Sequence, residues 1–181
     1  MLKSNLLRLA AAAVVATPVA AFAAGSHDGD HGDSPTGTPG KASAASRTIE
    51  VTLHDNYYEP ETIEVKAGET VRFRIRNAGE FVHEFNIGTA EMHASHQDEM
   101  MMMMEHGVLM PDRVDMAAAK AMQASMGHGM HEDPNSVLLE PGKSGDIVWT
   151  FPKDADVAIE FACNVPGHYQ SGMVGSVAID H

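Results

Sequence analysis

The chain has 181 residues, a formal net charge of −13 at pH 7 and a single cysteine. This length is enough for one domain with a proper core, and the strong negative charge disfavours nucleic acid and anionic membranes as partners while it suits cations. One cysteine excludes an internal disulfide, and a lone thiol in an oxidising compartment is a liability unless something such as a metal occupies it.

The N-terminal segment predicts export. Lys3 and Arg8 precede an apolar, alanine-rich stretch at residues 9–21, and Ala21-Phe22-Ala23 offers a small-x-small cleavage site. Since the stretch is shorter than the roughly 20 residues needed to span a bilayer, we interpret residues 1–23 as a secretory signal peptide. The expected mature protein is periplasmic, with no membrane anchor after cleavage. Residues 24–46 are rich in Gly, Ser, Asp, Pro and Ala, which predicts a disordered leader.

From Arg47 onward, apolar and polar residues alternate with the period of two that is typical of half-buried strands. The clearest case is Val71, Phe73 and Ile75, which alternate with arginines. Turn signals such as Pro141-Gly142 separate the segments. We predict eight short strands, near residues 49–53, 62–65, 71–76, 81–87, 137–139, 146–151, 157–163 and 173–179. The pattern predicts an all-β domain over residues 47–181, folded as a Greek-key antiparallel β-sandwich.

A long Met- and His-rich insertion, about residues 89–134, interrupts these strands. Loops of this length are usually functional or disordered, and good helix formers at 117–125 predict that the insertion is partly helical or disordered. Thioethers favour Cu(I), whereas the competing interpretation is that the methionines fill a helical core face. Residues 100–104 are all methionine, and five consecutive helical positions point in all directions, which favours metal binding. The predicted secondary Cu(I)-binding residues are Met92, His93, His96, Met100, Met101, Met102, Met103, Met104, His106, Met122, Met126, His128, Met130 and His131.

The segment 163–173 carries the main metal motif. Cys163, His168 and Met173 are spaced C-x4-H-x4-M on a loop between two predicted strands, and Pro166-Gly167 lets the chain turn back. Copper that changes between Cu(I) and Cu(II) prefers two His, one Cys and a weak axial Met. The missing histidine is expected on a neighbouring strand, and His83 is the candidate there. The sequence thus predicts one copper ion held by His83, Cys163, His168 and Met173.

At these residues the chain resembles the cupredoxins, small blue or green copper proteins, over about 47–87 and 137–179. With its insertion it resembles the bacterial copper-tolerance cupredoxins of the CopI type. The resemblance implies imidazole ligation by His83 and His168, thiolate ligation by Cys163, and a long axial bond from Met173. Many cupredoxins carry Asn after the first His and Ser or Thr after the Cys. Here Glu84 and Asn164 stand at those positions, so the hydrogen bond between the two ligand segments is expected with its partners exchanged.

Three functions stay open at this point. The leading interpretation is a periplasmic, redox-active copper-binding protein of copper homeostasis or tolerance, monomeric and without catalytic residues. The alternatives are a diffusible electron carrier to a respiratory or denitrifying enzyme and, less favoured, a cuprous oxidase. Copper ions are the expected partners, together with a redox or copper-transfer protein. A binuclear centre is excluded because its loop needs two cysteines, and multicopper enzymes are excluded because the chain has no length for a second copper domain.

The position of the insertion gives one further expectation. From His83 the strand runs on to about Gly88, which carries the chain roughly 16 Å from the metal at about 3.3 Å per residue. We therefore expect the insertion to be rooted away from the copper site, although its length would let it fold back. If it is a separate Cu(I) collector, deleting residues 91–131 should leave the visible band unchanged.

Overall fold

The computed structural model describes residues 34–127, 130 and 133–180, so the predicted signal peptide lies outside the described residues. Two sheets and a helical insertion make up this part of the chain. The strands are β1 (Thr38–Pro39), β2 (Arg47–Leu53), β3 (Tyr58–Glu59), β4 (Thr62–Lys66), β5 (Thr70–Asn77), β6 (His83–Gly88), β7 (Ser136–Leu139), β8 (Ser144–Thr150), β9 (Ile159–Ala162) and β10 (Val174–Asp180). The helices of the insertion are α1 (Ala90–Glu105) and α2 (Met116–Met126).

The two sheets each contain five strands, in the orders β1-β8-β5-β2-β3 and β4-β10-β9-β6-β7. This confirms the predicted all-β sandwich, and each of the eight predicted strands is present. The sheets are mixed rather than wholly antiparallel, because β2 pairs with β5 and β10 pairs with β4 in parallel register. Alternation in a sequence reports which face of a strand is buried and carries no information about the direction of its neighbour.

The core lies between the sheets and follows from the alternation. Along β5, Val71, Phe73 and Ile75 are fully buried, while the arginines between them point outward. Phe85 and Phe161, from the opposite sheet, lie with their ring centroids 5.2 Å apart. Burial of these large apolar side chains stabilises the sandwich by roughly 1.5–3 kcal/mol for each one fully buried. The core therefore supplies a rigid platform for the loops at its ends.

The domain begins earlier than the sequence predicted. Residues 34–46, expected to belong to a disordered leader, lie along the edge of the first sheet, where β1 pairs with β8. The Trp149 indole donates a hydrogen bond to the buried Thr36 carbonyl at 2.8 Å. Gly37 has φ +113°, and a Cβ there would lie 2.2 Å from the Thr150 carbonyl oxygen. The composition of residues 34–46 did not predict this pairing, because the segment has no large apolar side chains of its own. It is attached by backbone pairing with β8 and by the hydrogen bond from Trp149.

The insertion forms two capped helices, as the expectation of partial helicity allowed. The Thr89 hydroxyl accepts a hydrogen bond from the Met92 amide at the start of α1, and Asp115 caps the first amides of α2. A small second core joins the helices to the sandwich, and its buried members are Val82, Met100, Met103, Val108, Leu109, Ala119 and Met122. Within the described residues, no helix is long and apolar enough to cross a membrane.

Candidate metal centre

One of the four predicted ligands lies at the start of a strand, and the other three lie on the loop that joins β9 to β10. His83 opens β6, Cys163 directly follows β9, and Met173 directly precedes β10. Strands β6 and β9 pair antiparallel with Asn86 opposite Ala162, so the start of β6 and the end of β9 lie at the same end of the sandwich. This pairing brings His83 to Cys163 across 80 residues of sequence.

Three donor atoms converge there. The Cys163 Sγ lies 3.3 Å from the His168 Nδ1 and 3.9 Å from the His83 Nδ1. The two Nδ1 atoms are 3.2 Å apart. His83, Cys163 and His168 thus form a group whose ligand atoms all lie within 4.8 Å of one another. The structure brings together the three strongest of the predicted ligands, with one ring nitrogen of each histidine facing the sulfur.

The loop that carries them is fixed by its own backbone. The Met173 amide donates to the His168 carbonyl at 3.0 Å, and the Cys163 amide donates to the Met173 carbonyl at 3.2 Å. Gly167 and Gly172 adopt φ of +89° and +97°, the left-handed region that the predicted turns require. Met173 is fully buried and belongs to the same core cluster as Cys163. The fourth predicted ligand is therefore held at this end of the sandwich by packing and by two hydrogen bonds.

Asp55 positions the His83 ring and was missed in the sequence. Its Oδ1 lies 3.1 Å from the His83 Nε2, and it also accepts hydrogen bonds from the amides of Glu80 and Phe81. Burial opposes ionisation of Asp55, but the hydrogen bonds from His83 and the two amides together lower its pKa. The contact occupies Nε2 and leaves Nδ1 directed at Cys163. Only ordinary turn residues surround Asp55 in the sequence, so nothing there marked its role.

Burial sets the protonation states of the converging groups. It raises the pKa of the Cys163 thiol to about 12. Burial, and the neighbouring His83, lower the pKa of His168 to about 4, and burial lowers the pKa of His83. Both imidazoles are therefore neutral near pH 7, with lone pairs free for a cation, and a thiolate at this position requires a compensating positive charge.

The residues after the two ligands join the ligand segments. The buried Glu84 carboxylate accepts hydrogen bonds from the Asn164 amide at 3.2 Å and from its side-chain nitrogen at 2.9 Å. The Glu84 amide in turn donates to the Cys163 Sγ at 3.3 Å. The expected exchange of partners is thus found, with a carboxylate in place of the usual amide.

Helix α1 lies against this junction, so the insertion, which leaves the sandwich after the end of β6, folds back onto the site, as its length allowed. The His96 Nε2 lies 3.0 Å from the Glu84 carboxylate, and the Asn164 side-chain nitrogen lies 3.2 Å from the His93 Nδ1. Helix α1 begins at Ala90, just beyond the end of β6, and returns alongside β6 and β9. Strand spacing alone gave no information about the direction of this helix.

The predicted secondary residues fall into three groups. The first is buried and packed, namely Met100, Met103, Met122 and His93. The second is exposed or half-buried on the insertion, namely Met92, His96, Met101, Met102, Met104, His106, Met126 and Met130. The third, His128 and His131, lies outside the described residues. Met100 and Met103 point from α1 into the small core and Met102 packs against it, whereas Met101 and Met104 face outward, so consecutive methionines do not by themselves indicate metal binding.

Comparison with known proteins places these features in a family context. The family of cupredoxin-like domains matches residues 12–93. The copper-resistant cuproprotein CopI of Pseudomonas aeruginosa is 51% identical over 153 residues, which cover 79% of this chain and 81% of the relative. The CopI protein of Rubrivivax gelatinosus is 38% identical over 189 residues, which cover 98% of this chain and 99% of the relative.

A solved structure supports the fold assignment. Dithionite-reduced auracyanin from Roseiflexus castenholzii superposes with a TM-score of 0.52 and 24% identity, covering 76% of this chain and 99% of that one. At this identity the likeness concerns the fold alone.

Proposed function

Since this chain belongs to the CopI group of the cupredoxins, we propose that it binds one copper ion through His83, Cys163, His168 and Met173 and serves copper resistance. The observation that carries the proposal is the convergence of His83, Cys163 and His168 within 4.8 Å. Two imidazoles, a thiolate and a thioether form the donor set that suits copper in both oxidation states. The proposed role is binding and redox exchange rather than catalysis.

The protein's own groups prepare this site. Asp55 holds His83 so that its Nδ1 faces the sulfur, and the amide of Glu84 donates to the Cys163 Sγ. Bound copper supplies a one-electron couple between Cu(I) and Cu(II). Burial makes the Cys163 thiolate costly in the absence of a cation, so loss of its proton is linked to metal binding. Met173, fixed by the backbone of the loop, would supply the fourth and weakest donor.

A second candidate role is electron transfer to another protein. Its support is the difference in exposure between the two histidines: His83 is completely buried, whereas His168 is half-buried next to the exposed Gly167. The edge of His168 is thus more accessible to a partner than His83, as an electron carrier requires. Weak carrier complexes need only a small interface, and residues 165–169 offer one.

The insertion is proposed to bind additional Cu(I) through its outward-facing methionines. Met101, Met104 and Met126 are 42%, 45% and 39% exposed. A cavity of about 770 Å³ beside α1 and α2 is lined by further thioethers, among them Met102 and Met130. Soft, uncharged donors of this kind favour Cu(I) over Cu(II). Of the predicted residues, Met100, Met103 and Met122 are better explained by packing, because all three belong to the small core.

We propose a periplasmic location, in which the signal peptide at residues 1–23 is removed and a monomer exchanges copper or electrons with a protein partner. The decisive experiment is genetic. A deletion strain carrying the wild-type gene, the Cys163→Ser gene or no gene is grown with and without copper stress. Copper-sensitive growth of the last two strains, with normal respiration in the absence of added copper, is the expected result. A respiratory defect without copper sensitivity would favour the electron carrier instead.

A further inference from the structure

Two histidines of α1 contact the two residues that follow the proposed ligands. His96 reaches Glu84, the neighbour of His83, and His93 reaches Asn164, the neighbour of Cys163. Neither histidine belongs to the group of converging donor atoms. The Met-rich insertion is therefore part of the surroundings of the metal centre, through contacts that its sequence did not reveal.

The geometry around His96 defines its charge. Its Nε2 lies 3.0 Å from the Glu84 carboxylate, and its Nδ1 lies 3.1 Å from the carboxylate of Glu99. A carboxylate only accepts hydrogen bonds, so both ring nitrogens must donate and the ring is an imidazolium. The hydrogen bond to Glu84 is also the main reason why the pKa of His96 is raised to about 9.

Glu84 needs that cation. Its side chain is 3% exposed, and an unpaired buried carboxylate is costly. Hydrogen bonds from Ser136 and Asn164 satisfy its other lone pairs, but His96 is its only cationic contact among the described residues. With His96 present, the pair adds no net charge beside Cys163. Without it, an uncompensated anion would lie one residue from His83.

His93, in contrast to His96, is a neutral imidazole. Its Nδ1 accepts from the side-chain nitrogen of Asn164, whose second hydrogen is donated to Glu84. His93 is fully buried, and burial lowers its pKa, in keeping with a neutral ring. The two imidazoles thus orient Asn164 and neutralise Glu84 from one face of α1, since His93 and His96 are three residues apart.

We propose that His96 is a positioning residue of the copper centre, through which helix α1 holds Glu84 and sets the reduction potential and the visible spectrum. The inference rests on the proposed copper function of His83, Cys163 and His168. A nearby cation favours Cu(I) over Cu(II), because Cu(I) carries one positive charge fewer. Loss of the His96 charge while Glu84 stays ionised should therefore lower the potential. At an effective dielectric constant of about 20, a unit charge about 10 Å from a metal ion changes the equilibrium constant between its two oxidation states on the order of tenfold.

The test compares full-length copper-loaded variants by redox titration and visible spectroscopy. His96→Gln removes the charge but retains a donor for Glu84, and His96→Lys retains the charge. Lys120→Gln is the matched control, because Lys120 is an exposed cation of the same insertion and belongs to no predicted copper site. For His96→Gln we expect one bound copper, a shifted visible band and a reduction potential lower by about 59 mV, which corresponds to a tenfold change in the one-electron equilibrium constant. His96→Lys and Lys120→Gln should stay close to the wild type.

A second variant keeps the test decisive if His96→Gln fails to fold. Glu84→Gln combined with His96→Gln leaves no buried unpaired charge, so its potential should stay close to that of the wild type. Equal potentials and spectra for His96→Gln and Lys120→Gln, both with copper bound, would overturn the inference, as would a double variant whose potential falls by the equivalent of a tenfold change. Failure of the wild type to bind copper would instead refute the proposed function, so the two failures are distinguishable.

Discussion

The carboxylate of Glu84 accepts two hydrogen bonds from Asn164, one from its backbone amide and one from its side chain. These residues directly follow His83 and Cys163, so the contact joins the two segments that carry the proposed ligands. A carboxylate at this point introduces a buried negative charge, and helix α1 supplies the compensating His96. Helix α1 is in this way coupled to the proposed metal centre.

This coupling predicts a pH dependence of stability in the metal-free protein. The pKa of His96 is raised from 6.5 to about 9 in the folded state. A raised pKa stabilises the fold fully below the unfolded value, so this contribution should be lost as the pH rises from about 6.5 to about 9. For one proton, the free energy of unfolding should fall by at most about 1.4 kcal/mol per pH unit.

Urea unfolding at a series of pH values measures this contribution. His96→Gln should flatten the decline between pH 6.5 and 9, whereas His106→Gln should retain it. An identical decline in both variants would assign the pH dependence to another group.

A second prediction concerns Asp55, which holds the His83 Nε2 at 3.1 Å. Asp55→Ala should lower copper affinity by roughly 10–100-fold, the usual effect of removing a hydrogen-bond partner of a histidine ligand. Competition with a chelator of known affinity measures the change. Asp112→Ala is a suitable control, because Asp112 is an exposed acid in the insertion. Unchanged affinity in Asp55→Ala would show that the ring needs no such support.

Sequence reasoning reached the sandwich and the ligand motif because both are local. Alternation along β5 records one buried face, and the spacing from Cys163 to Met173 lies within one loop. It missed Asp55 and the position of α1, because both depend on contacts between distant segments. It also missed β1, where the pairing of Thr38 with Thr150 involves backbone groups that every sequence contains. The methionines were ambiguous for a related reason, since a flexible apolar side chain serves either packing or a soft metal.

The outward-facing methionines give a third prediction. Replacing Met101, Met104 and Met126 together by Leu keeps apolar volume but removes three thioethers. The triple variant should bind fewer Cu(I) equivalents beyond the first, measured by competition with a Cu(I)-specific chelator, and should keep the visible band. The control is Met100→Leu, which lies in the small core and should retain the additional equivalents. An unchanged Cu(I) capacity in the triple variant would refute Cu(I) capture by these methionines.

Removing the entire insertion is now expected to have a different effect from the one the sequence predicted. Deleting residues 91–131 would remove His93 and His96 from Asn164 and Glu84. The visible band should therefore shift as well as the Cu(I) capacity fall. A truncated protein with the wild-type spectrum would restore the original expectation of an independent insertion.

The axial position gives a fourth prediction, since Met173 is buried beside Cys163 in the same core cluster. Met173→Leu should retain copper, because the axial bond is long and weak, but should change the reduction potential and the spectrum. The volume-conserving exchange should cost less than about 1.5 kcal/mol of stability. Complete loss of copper from a folded Met173→Leu protein would show that the ligand set has been misassigned.

The central claim is that one copper ion is bound by the thiolate of Cys163 between His83 and His168. Its most direct test is the visible spectrum of the protein titrated with Cu(II), compared with Cys163→Ser and with His54→Ala as a control outside the converging group. The wild type and the control should develop an intense thiolate-to-copper charge-transfer band that saturates at one equivalent, and Cys163→Ser should show none. Survival of that band in Cys163→Ser would contradict the assignment.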